Sequence, residues 1–363
     1  MRGRVEAEFA DLGEKELKNI ARSVRVYAAK VGASSFAGAS REPSAVRAHP
    51  ARASIAVLPF VNMSGDPEQE YFADGIAEDI ITALSKLSQL FVIARNSSFT
   101  FKGRNVLVAE VGKSLGVRYV LEGSVRKSGT RVRITAQLID TTTGGHLWGE
   151  RFDRDLADIF AVQDDVTAKI VSALSLNLNA RDLRRIASAR TDNLEAHDCY
   201  LQGRQLWQRS AKEPNAQARA LLERAVELDP NFAPAHALLS VVHNFDYINA
   251  WSDSPERSRQ CSRDCALRAV SLDDADALAR TAMATAYLWE KRHDDALREA
   301  ERAIALDPNY AGGYIALGLV LHYAGRAEEA LGSLDRAIAL DPYYPDTNLQ
   351  LQAQAAYQVG QVF

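Results

Sequence analysis

Apolar residues recur at helical spacing through the carboxy-terminal half of the chain, and the pattern itself repeats. The phrase Arg302–Tyr310 (Arg-Ala-Ile-Ala-Leu-Asp-Pro-Asn-Tyr) returns as Arg336–Tyr344, which gives a period of about 34 residues. A related phrase, Arg268–Asp273, lies one period upstream, and Arg224–Pro230 lies one period plus a ten-residue insertion before that. Proline after each complete phrase ends a helix, because it cannot continue the hydrogen-bond ladder. The pattern predicts a solenoid of paired helices whose neighbouring units bury each other's apolar faces.

A period of this length with two helices per unit resembles the tetratricopeptide repeat. The small and large positions of that family are matched between 309 and 342 by Tyr314, Leu317, Gly318, Leu321, Ala330, Leu334, Ala337 and Pro342. The preceding unit departs from it with Arg280, where a large apolar residue is usual. The unit before that has ten extra residues around 249–255, and their Ser and Pro content predicts a loop between its two helices. We expect 195–363 to form about three and a half to four and a half units, with the last one incomplete.

The resemblance to this repeat family implies a binding groove for a protein or peptide partner, lined by the first helix of each unit. The family's groove positions correspond here to Ala237, Val241, Asn244, Thr281, Thr285, Leu288, Ile315, Leu319 and His322. We expect Asn244 to matter most, since an amide can donate to and accept from a peptide backbone at once. The alternative is that the groove is filled by the chain's own amino-terminal domain or by the loop around Trp251.

Residues 54–180 show a different pattern, in which short strands and helices alternate. Ile55–Phe60 is a continuous apolar run, which is typical of a strand buried on both faces. A hairpin that turns at Ser128 and Gly129 is predicted by alternating apolar residues on its return strand. We expect these four to point inward: Val132, Ile134, Ala136 and Leu138. The fold class predicted for the whole chain is therefore an α/β domain followed by an all-α solenoid.

Several phrases of this α/β region resemble the TolB-like amino-terminal domain. They are Ala56–Phe60, Phe72–Gly75, Tyr119–Arg126, Leu147–Trp148 and Phe160–Asp164. In bacteria this domain often stands between an upstream signalling domain, either a class III cyclase or a winged-helix DNA-binding domain, and downstream tetratricopeptide repeats. The resemblance implies a cytoplasmic regulatory module with no assigned enzymatic reaction.

The first thirty residues alternate like two strands, at Val5–Phe9 and Ser23–Tyr27, with a turn predicted at Asp11–Gly13. Residues 12–27 resemble the closing strands of a bacterial class III adenylate cyclase domain, although Ser23 stands where that family usually has proline. The metal-binding and phosphoryl-stabilising residues of such cyclases lie upstream of these strands, and nothing here matches them. We therefore expect no catalytic, cofactor-binding or metal-binding residue in the chain. Residues 31–53, rich in Ala, Ser, Gly and Arg, predict a flexible linker.

Composition and charge narrow the function further. The chain is 47% hydrophobic and 25% charged, which is ordinary for a globular protein, and no apolar run is long enough to span a bilayer. Met1–Arg4 is followed by Glu6 and Glu8 instead of the apolar core of a signal peptide, so we expect the cytoplasm. Residues 195–363 carry a net charge of −8, which argues against a nucleic-acid partner.

A few side-chain groups suggest local chemistry, but for each we favour a structural role. Asp74, Glu78 and Asp79 could ligate a metal, but a solvated first helical turn favoured by the helix dipole is the more common role of such residues. The other sets that allow both a binding role and a packing or surface role are Cys261 with Cys265, His236 with His243, the loop Ser64–Asp66, and the arginines at 118, 126, 131 and 133.

Together these patterns predict a non-catalytic regulatory and protein-interaction module from an adenylate cyclase-like signalling protein. One alternative is a subunit or fragment of an active class III adenylate cyclase, converting ATP to cyclic AMP, whose catalytic core is supplied elsewhere. Another is a truncated gene product without function. The last helix, near 347–359, has no second helix to complete its unit. We therefore expect Leu349 and Leu351 to be exposed and to promote self-association.

Overall fold

The computed structural model describes residues 7–15, 24–31, 52–176, 191–343 and 346–359. The chain divides into two compact units, 1–45 and 46–363. In the first unit, β1 (Ala7–Lys15) pairs antiparallel with β2 (Val24–Val31). The turn predicted at Asp11–Gly13 is wrong, because these residues lie within β1, where the pairing register shifts between Asp11 and Glu14. The predicted linker lies outside the described residues except at its two ends.

The second unit begins with a mixed sheet built around a short buried strand. The strands are β3 (Ala53–Val57), β4 (Val61–Asn62), β5 (Leu90–Val92), β6 (Tyr119–Ser128), β7 (Arg131–Asp140) and β8 (His146–Asp155). Their order is β5-β3-β6-β7-β8, with β4 paired to β6. The pairs β3–β5 and β3–β6 are parallel, and β6–β7–β8 form an antiparallel meander. Gly129 makes the tight turn after β6 at φ +58°, a conformation that glycine adopts without strain.

Helices cover both faces of the sheet near β3, because residues of a buried strand alternate between two apolar clusters. Ile55 and Val57 face α1 (Glu70–Ser85) and α4 (Ile159–Ala173), while Ala56 faces α3 (Val108–Leu115). A five-residue helix, α2 (Arg95–Phe99), follows β5. The inward residues predicted on the hairpin are confirmed, since all four are at most 2% exposed: Val132, Ile134, Ala136 and Leu138.

Paired helices make up the rest of the unit. The first helices of the pairs are α5 (Leu194–Trp207), α7 (Ala233–Ile248), α9 (Ala277–Trp289), α11 (Ala311–Tyr323) and α13 (Asp346–Gln358). The second helices are α6 (Lys212–Leu228), α8 (Pro255–Leu272), α10 (His293–Leu306) and α12 (Ala327–Leu340). The loop predicted at 249–255 is confirmed, since α7 ends at Ile248 and α8 begins at Pro255.

Small residues allow the two helices of a pair to approach closely. A Cβ atom added to Gly318 would lie 2.8 Å from Leu334, and one added to Gly203 would lie 3.0 Å from Leu222. Successive first helices also pack on one another, as α7 does on α9 and α9 on α11, whereas second helices make few contacts with one another. The first helices therefore lie on the inner side of the solenoid.

The sheet and the solenoid share a buried polar interface. At one end, Arg204 of α5 donates to Asp79 at 3.0 Å and lies 3.2 Å from Glu78, both on α1. Asp74 is also buried and pairs with Lys102 at 2.6 Å. The predicted solvated turn is therefore wrong, because these carboxylates of α1 are held by cations. No group of three metal-ligating side chains occurs among the described residues.

At the other end, the closing phrases of the repeats contact the loops of the sheet. Asn309 donates its amide to the carbonyl oxygens of Ser85 at 2.8 Å and Leu90 at 2.9 Å, and Ser85 donates its hydroxyl to Asp307 at 2.5 Å. One repeat later, Ser97 and Asn96 both donate to Asp341. The loops of the sheet thus contact the carboxyl ends of α10 and α12. These contacts do not reach the opposite ends of the two repeats.

Candidate functional site

Two of the nine predicted groove residues do not face solvent. Ala237 is fully buried against Ala269 and Ala279, and Leu288 is 3% exposed and packs on Ala296 and Val320. Both pack against neighbouring helices, because the groove positions of the family lie close to the seam where successive first helices meet. The structure therefore gives these two no surface for a partner.

The other predicted residues are partly exposed: Val241, Asn244, Thr281, Thr285, Ile315, Leu319 and His322. The hydroxyl of Thr281 donates to the carbonyl of Ala277 at 2.9 Å, and that of Thr285 to the carbonyl of Ala282 at 2.8 Å. Both threonines thus present mainly their methyl groups. The side-chain carbonyl of Asn244 accepts from the indole N–H of Trp289 at 2.7 Å. This bond occupies one of the two lone pairs of the Asn244 oxygen and fixes the orientation of its amide group.

A row of aromatic residues, which the sequence reasoning missed, lies one position after the last groove residue of each repeat. It comprises Phe245, Trp289, Tyr323 and Tyr357, and we call it the aromatic row. The intervals between these four residues equal the intervals between the four closing phrases. The row lies near the carboxyl ends of the first helices α7, α9, α11 and α13. The repeat period alone was enough to find it.

Two rings of this row, those of Trp289 and Tyr323, contact each other edge to face, and Phe245 and Trp289 also contact rings outside the row. Trp289 meets Tyr323 with centroids 5.6 Å apart and an interplanar angle of 77°, and meets Tyr247 at 6.0 Å. Trp207, at the end of α5, meets Phe245 at 6.0 Å. Edge-to-face pairs are the favoured geometry of aromatic rings and stiffen the surface they form. Exposure increases along the solenoid, to 54% at Tyr323 and 83% at Tyr357.

The face that carries the aromatic row is almost uncharged. The helices α7, α9 and α11 contain only two ionised side chains, Asp246 and Arg280. Both are buried, Asp246 beside Arg219 and Arg280 beside Glu299 at 2.9 Å. Arg280 thus fits a position that is usually apolar, because its charge is paired with Glu299 on the next helix. The second helices α8, α10 and α12 carry sixteen charged residues. A partner on the first-helix face would therefore meet apolar and aromatic surface with few polar groups.

The histidines of α7 show no metal chemistry. Burial and the nearby Arg219 lower the pKa of His243 to about 4, so that its ring is neutral at pH 7. His236 contacts the carbonyl oxygen of Pro230 at 3.1 Å. The third ligand that a metal site would need is missing from the described part of the chain.

Comparison with known proteins relates the sheet to a regulatory domain. Residues 51–170 match the model of the HilA/YgeH-like transcriptional regulator, second domain. The match begins just before β3 and ends within α4, so it coincides with the sheet and its helices.

A longer similarity covers most of the chain. A protein of Rhizobium meliloti (strain 1021) named "Putative adenylate cyclase 3" is 47% identical over 299 residues, which is 81% of this chain. The chain spans only half the length of that relative.

Similarity to solved structures is weaker. A thermophilic TPR protein of Thermus thermophilus is 18% identical over 56% of this chain and 97% of its own, with a TM-score of 0.37. TolB from Acinetobacter baumannii is 19% identical over 34% of this chain and 28% of its own, with a TM-score of 0.26. None of the helices in the described residues combines the length and the apolarity needed to cross a bilayer.

Proposed function

We propose that the chain is a non-catalytic regulatory and protein-interaction module of an adenylate cyclase-like signalling protein. In this proposal 1–30 are the closing strands of a class III cyclase domain and 31–53 are a linker. Residues 54–180 are a TolB-like domain, and 195–363 are tetratricopeptide repeats. The module works in the cytoplasm and binds a protein or peptide, not nucleic acid.

The similarity to the Rhizobium meliloti relative supports the cyclase context, because its printed name places it among adenylate cyclases. The match of 51–170 to a domain of a transcriptional regulator supports a regulatory role for the sheet. The observation that carries the binding role is the aromatic row, which lies on a nearly uncharged face and exposes its rings most at Tyr323 and Tyr357. Exposed aromatic surface of this kind is enriched where proteins bind partners.

The proposal is tested by affinity capture with matched variants. The full chain is immobilised and incubated with extract of Rhizobium meliloti, and bound proteins are identified by mass spectrometry. Tyr323→Ala and Tyr357→Ala should lose the same bound proteins, because each removes an exposed ring of the row. The control is Leu267→Ala, which truncates a 41% exposed residue on the second helix α8. Retention of every bound protein by both tyrosine variants, at unchanged melting temperature, would exclude the row as the binding surface.

A second candidate function is favoured by the name of the same relative. The chain would then be a subunit or fragment of an active class III adenylate cyclase, with the catalytic core supplied by another polypeptide. We expect no cyclic AMP from the purified chain with ATP and Mg²⁺ or Mn²⁺. Addition of the part of the Rhizobium meliloti relative that this chain does not span distinguishes the two functions. Cyclic AMP formation that requires this chain would favour the subunit.

We also propose self-association through the exposed residues of α13. Leu349 is 39% exposed there and Tyr357 is 83% exposed. Leu351, predicted to be exposed, is instead 8% exposed and packs in the cluster that contains Leu334. The apolar surface on α13 is therefore smaller than the sequence pattern indicated.

A further inference from the structure

The strand β8 ends the sheet with a long open edge. It is the last strand in the order β5-β3-β6-β7-β8, and its ten residues contain no proline. Its inner edge pairs with β7 from Arg131 opposite Asp155 to Ile139 opposite His146. Between Leu147 and Arg154, no main-chain group of the described residues outside β7 bonds to β8, and the carbonyl of Asp153 accepts the side chain of Arg154 at 3.1 Å. Such an edge is a template for another strand.

The charges of β8 alternate in a pattern that is complementary to itself. The strand contains Glu150-Arg151-Phe152-Asp153-Arg154. When two copies pair antiparallel about a two-fold axis, each residue lies opposite one on the same face of the sheet. With the axis at Phe152, Glu150 lies opposite the second copy's Arg154, and Arg151 lies opposite its Asp153. Every charge in this segment then faces an opposite charge.

Neighbouring registers lose this complementarity. An axis at Arg151 would place arginine opposite arginine, and an axis at Asp153 would place aspartate opposite aspartate. Axes at Glu150 and Arg154 fail in the same way. Like charges directly opposite on paired strands destabilise the pairing, whereas opposite charges stabilise it. Among the centres from Glu150 to Arg154, only Phe152 avoids like charges opposite each other.

The surroundings of β8 fit this register. On the open face of the sheet, Asp153 lies 2.6 Å from Arg133 and 3.2 Å from Arg151. In the paired arrangement each Asp153 would lie between Arg133 of its own copy and the second copy's Arg151. On the other face Phe152 is 5% exposed and packs into the core under α4, so the centre of the strand is held in place. Glu150 lies 3.3 Å from Lys169 of α4, near the same edge.

We propose that two copies of this chain associate through β8, antiparallel and centred on Phe152, so that one sheet continues across both copies. The occupant of the open edge is thus a second copy of the same strand. This dimer is independent of the partner proposed for the aromatic row and of the face of α13.

Analytical ultracentrifugation of the full chain tests the proposal with a charge-swap cycle. Arg151→Asp and Asp153→Arg each turn two cross-strand attractions into repulsions by symmetry, and should raise the dimer Kd about tenfold or more. The double variant Arg151→Asp with Asp153→Arg restores both pairs, so its Kd should return to within about threefold of the original. The control Lys113→Asp reverses an exposed charge on α3, away from the edge, and should leave the Kd unchanged.

Mixing the two single variants gives an independent check of the register. An equimolar mixture of the Arg151→Asp and Asp153→Arg proteins should associate again, because each cross-strand pair then joins an aspartate of one protein to an arginine of the other. Neither protein alone has this arrangement. A mixture that associates no better than its components would contradict the pairing of position 151 with position 153.

Circular dichroism melting confirms that each variant is folded. If both single variants weaken association and the double variant does not restore it, the proposed register is wrong. If the full chain stays monomeric at 100 µM or above, a concentration on the order of weak-dimer affinities, the proposed interface is wrong. Association that is lost in Leu349→Ala and Tyr357→Ala but kept in both single charge variants would assign the dimer to α13 instead.

Discussion

Replacement of Arg204 by methionine should weaken the contact between the sheet domain and the solenoid. The guanidinium is 10% exposed and pairs with Glu78 and Asp79, which are 14% and 21% exposed, and it also donates to the carbonyl of Gly75 at 3.3 Å. Methionine preserves much of the volume but leaves Asp79 without its arginine, while Glu78 keeps its contact with Arg95 at 3.4 Å. Removal of one partner of a buried ion pair costs about 3–5 kcal/mol. We expect about 3 kcal/mol here, because Asp79 keeps part of its surface in water.

The charge balance of this cluster provides a second check. Burial opposes the ionisation of Asp79, but attraction to Arg204 and a hydrogen bond with His197 lower its pKa to about 2. Its contribution to stability is therefore present above pH 4 and is lost as the pH falls toward 2. In Arg204→Met this dependence should weaken or reverse, since burial then dominates the pKa of Asp79.

The assay is unfolding of the full chain in urea. Unfolding is followed both by circular dichroism and by intrinsic fluorescence. Arg204→Met should lower the free energy of unfolding by about 3 kcal/mol, whereas Arg224→Met, which removes an exposed arginine from the outer face of α6, should leave the midpoint unchanged. The triple variant Glu78→Gln, Asp79→Asn, Arg204→Met should recover most of the loss, because the two carboxylates that Arg204 neutralised are then uncharged. A loss below about 1 kcal/mol in Arg204→Met, or a triple variant no more stable than the single one, would refute this reasoning.

Two further predictions concern the repeats. Burial raises the pKa of Asp307 to about 6. The contribution of this group to stability is therefore full below pH 4 and is lost as the pH rises through 6. The melting temperature should fall between pH 4.5 and 7, and Asp307→Asn should make this fall smaller. Equal slopes in both proteins would contradict this. Gly318→Val should destabilise the chain by about 1–3 kcal/mol in urea unfolding, because the added atoms meet Leu334 at 2.8 Å or less. The control is Gly332→Ala, which should cause no clash because nothing lies within 4 Å of the added Cβ. Similar effects of both substitutions would contradict the packing argument.

Local sequence patterns predicted the repeat helices and the hairpin because both rest on short-range periodicity. Gly318 and the residues of the closing phrase carry the repeat period, and Val132 to Leu138 carry the two-residue period of a strand. The interface could not be predicted in this way. Glu78 and Arg204 are far apart in the chain, and nothing near either one marks the other. Acidic residues within a helix have the same appearance in the sequence whether water or arginine neutralises them.

The candidate site was predicted only in part for a related reason. Family positions locate the right helices, but packing between neighbouring first helices buries Ala237 and Leu288 and engages Asn244. Whether a residue at a helix seam is exposed depends on the sizes of its neighbours on two other helices. The aromatic row was accessible from the sequence, since Trp289, Tyr323 and Tyr357 obey the same period as the closing phrase.

The contacts of Arg204, Asp307 and Asp341 with one rigid sheet domain have a consequence for how the chain can evolve. Repeat proteins commonly lengthen or shorten by duplicating or deleting a whole unit. Here α1 holds the first pair of helices, while Ser85 and Ser97 hold the closing phrases of two later pairs. Insertion of one whole repeat between Arg204 and Asp341 would move at least one of these attachment points by a full unit and break its contact. The number of units in that interval is therefore fixed by the sheet, and only the region beyond Asp341 is free to vary in unit number.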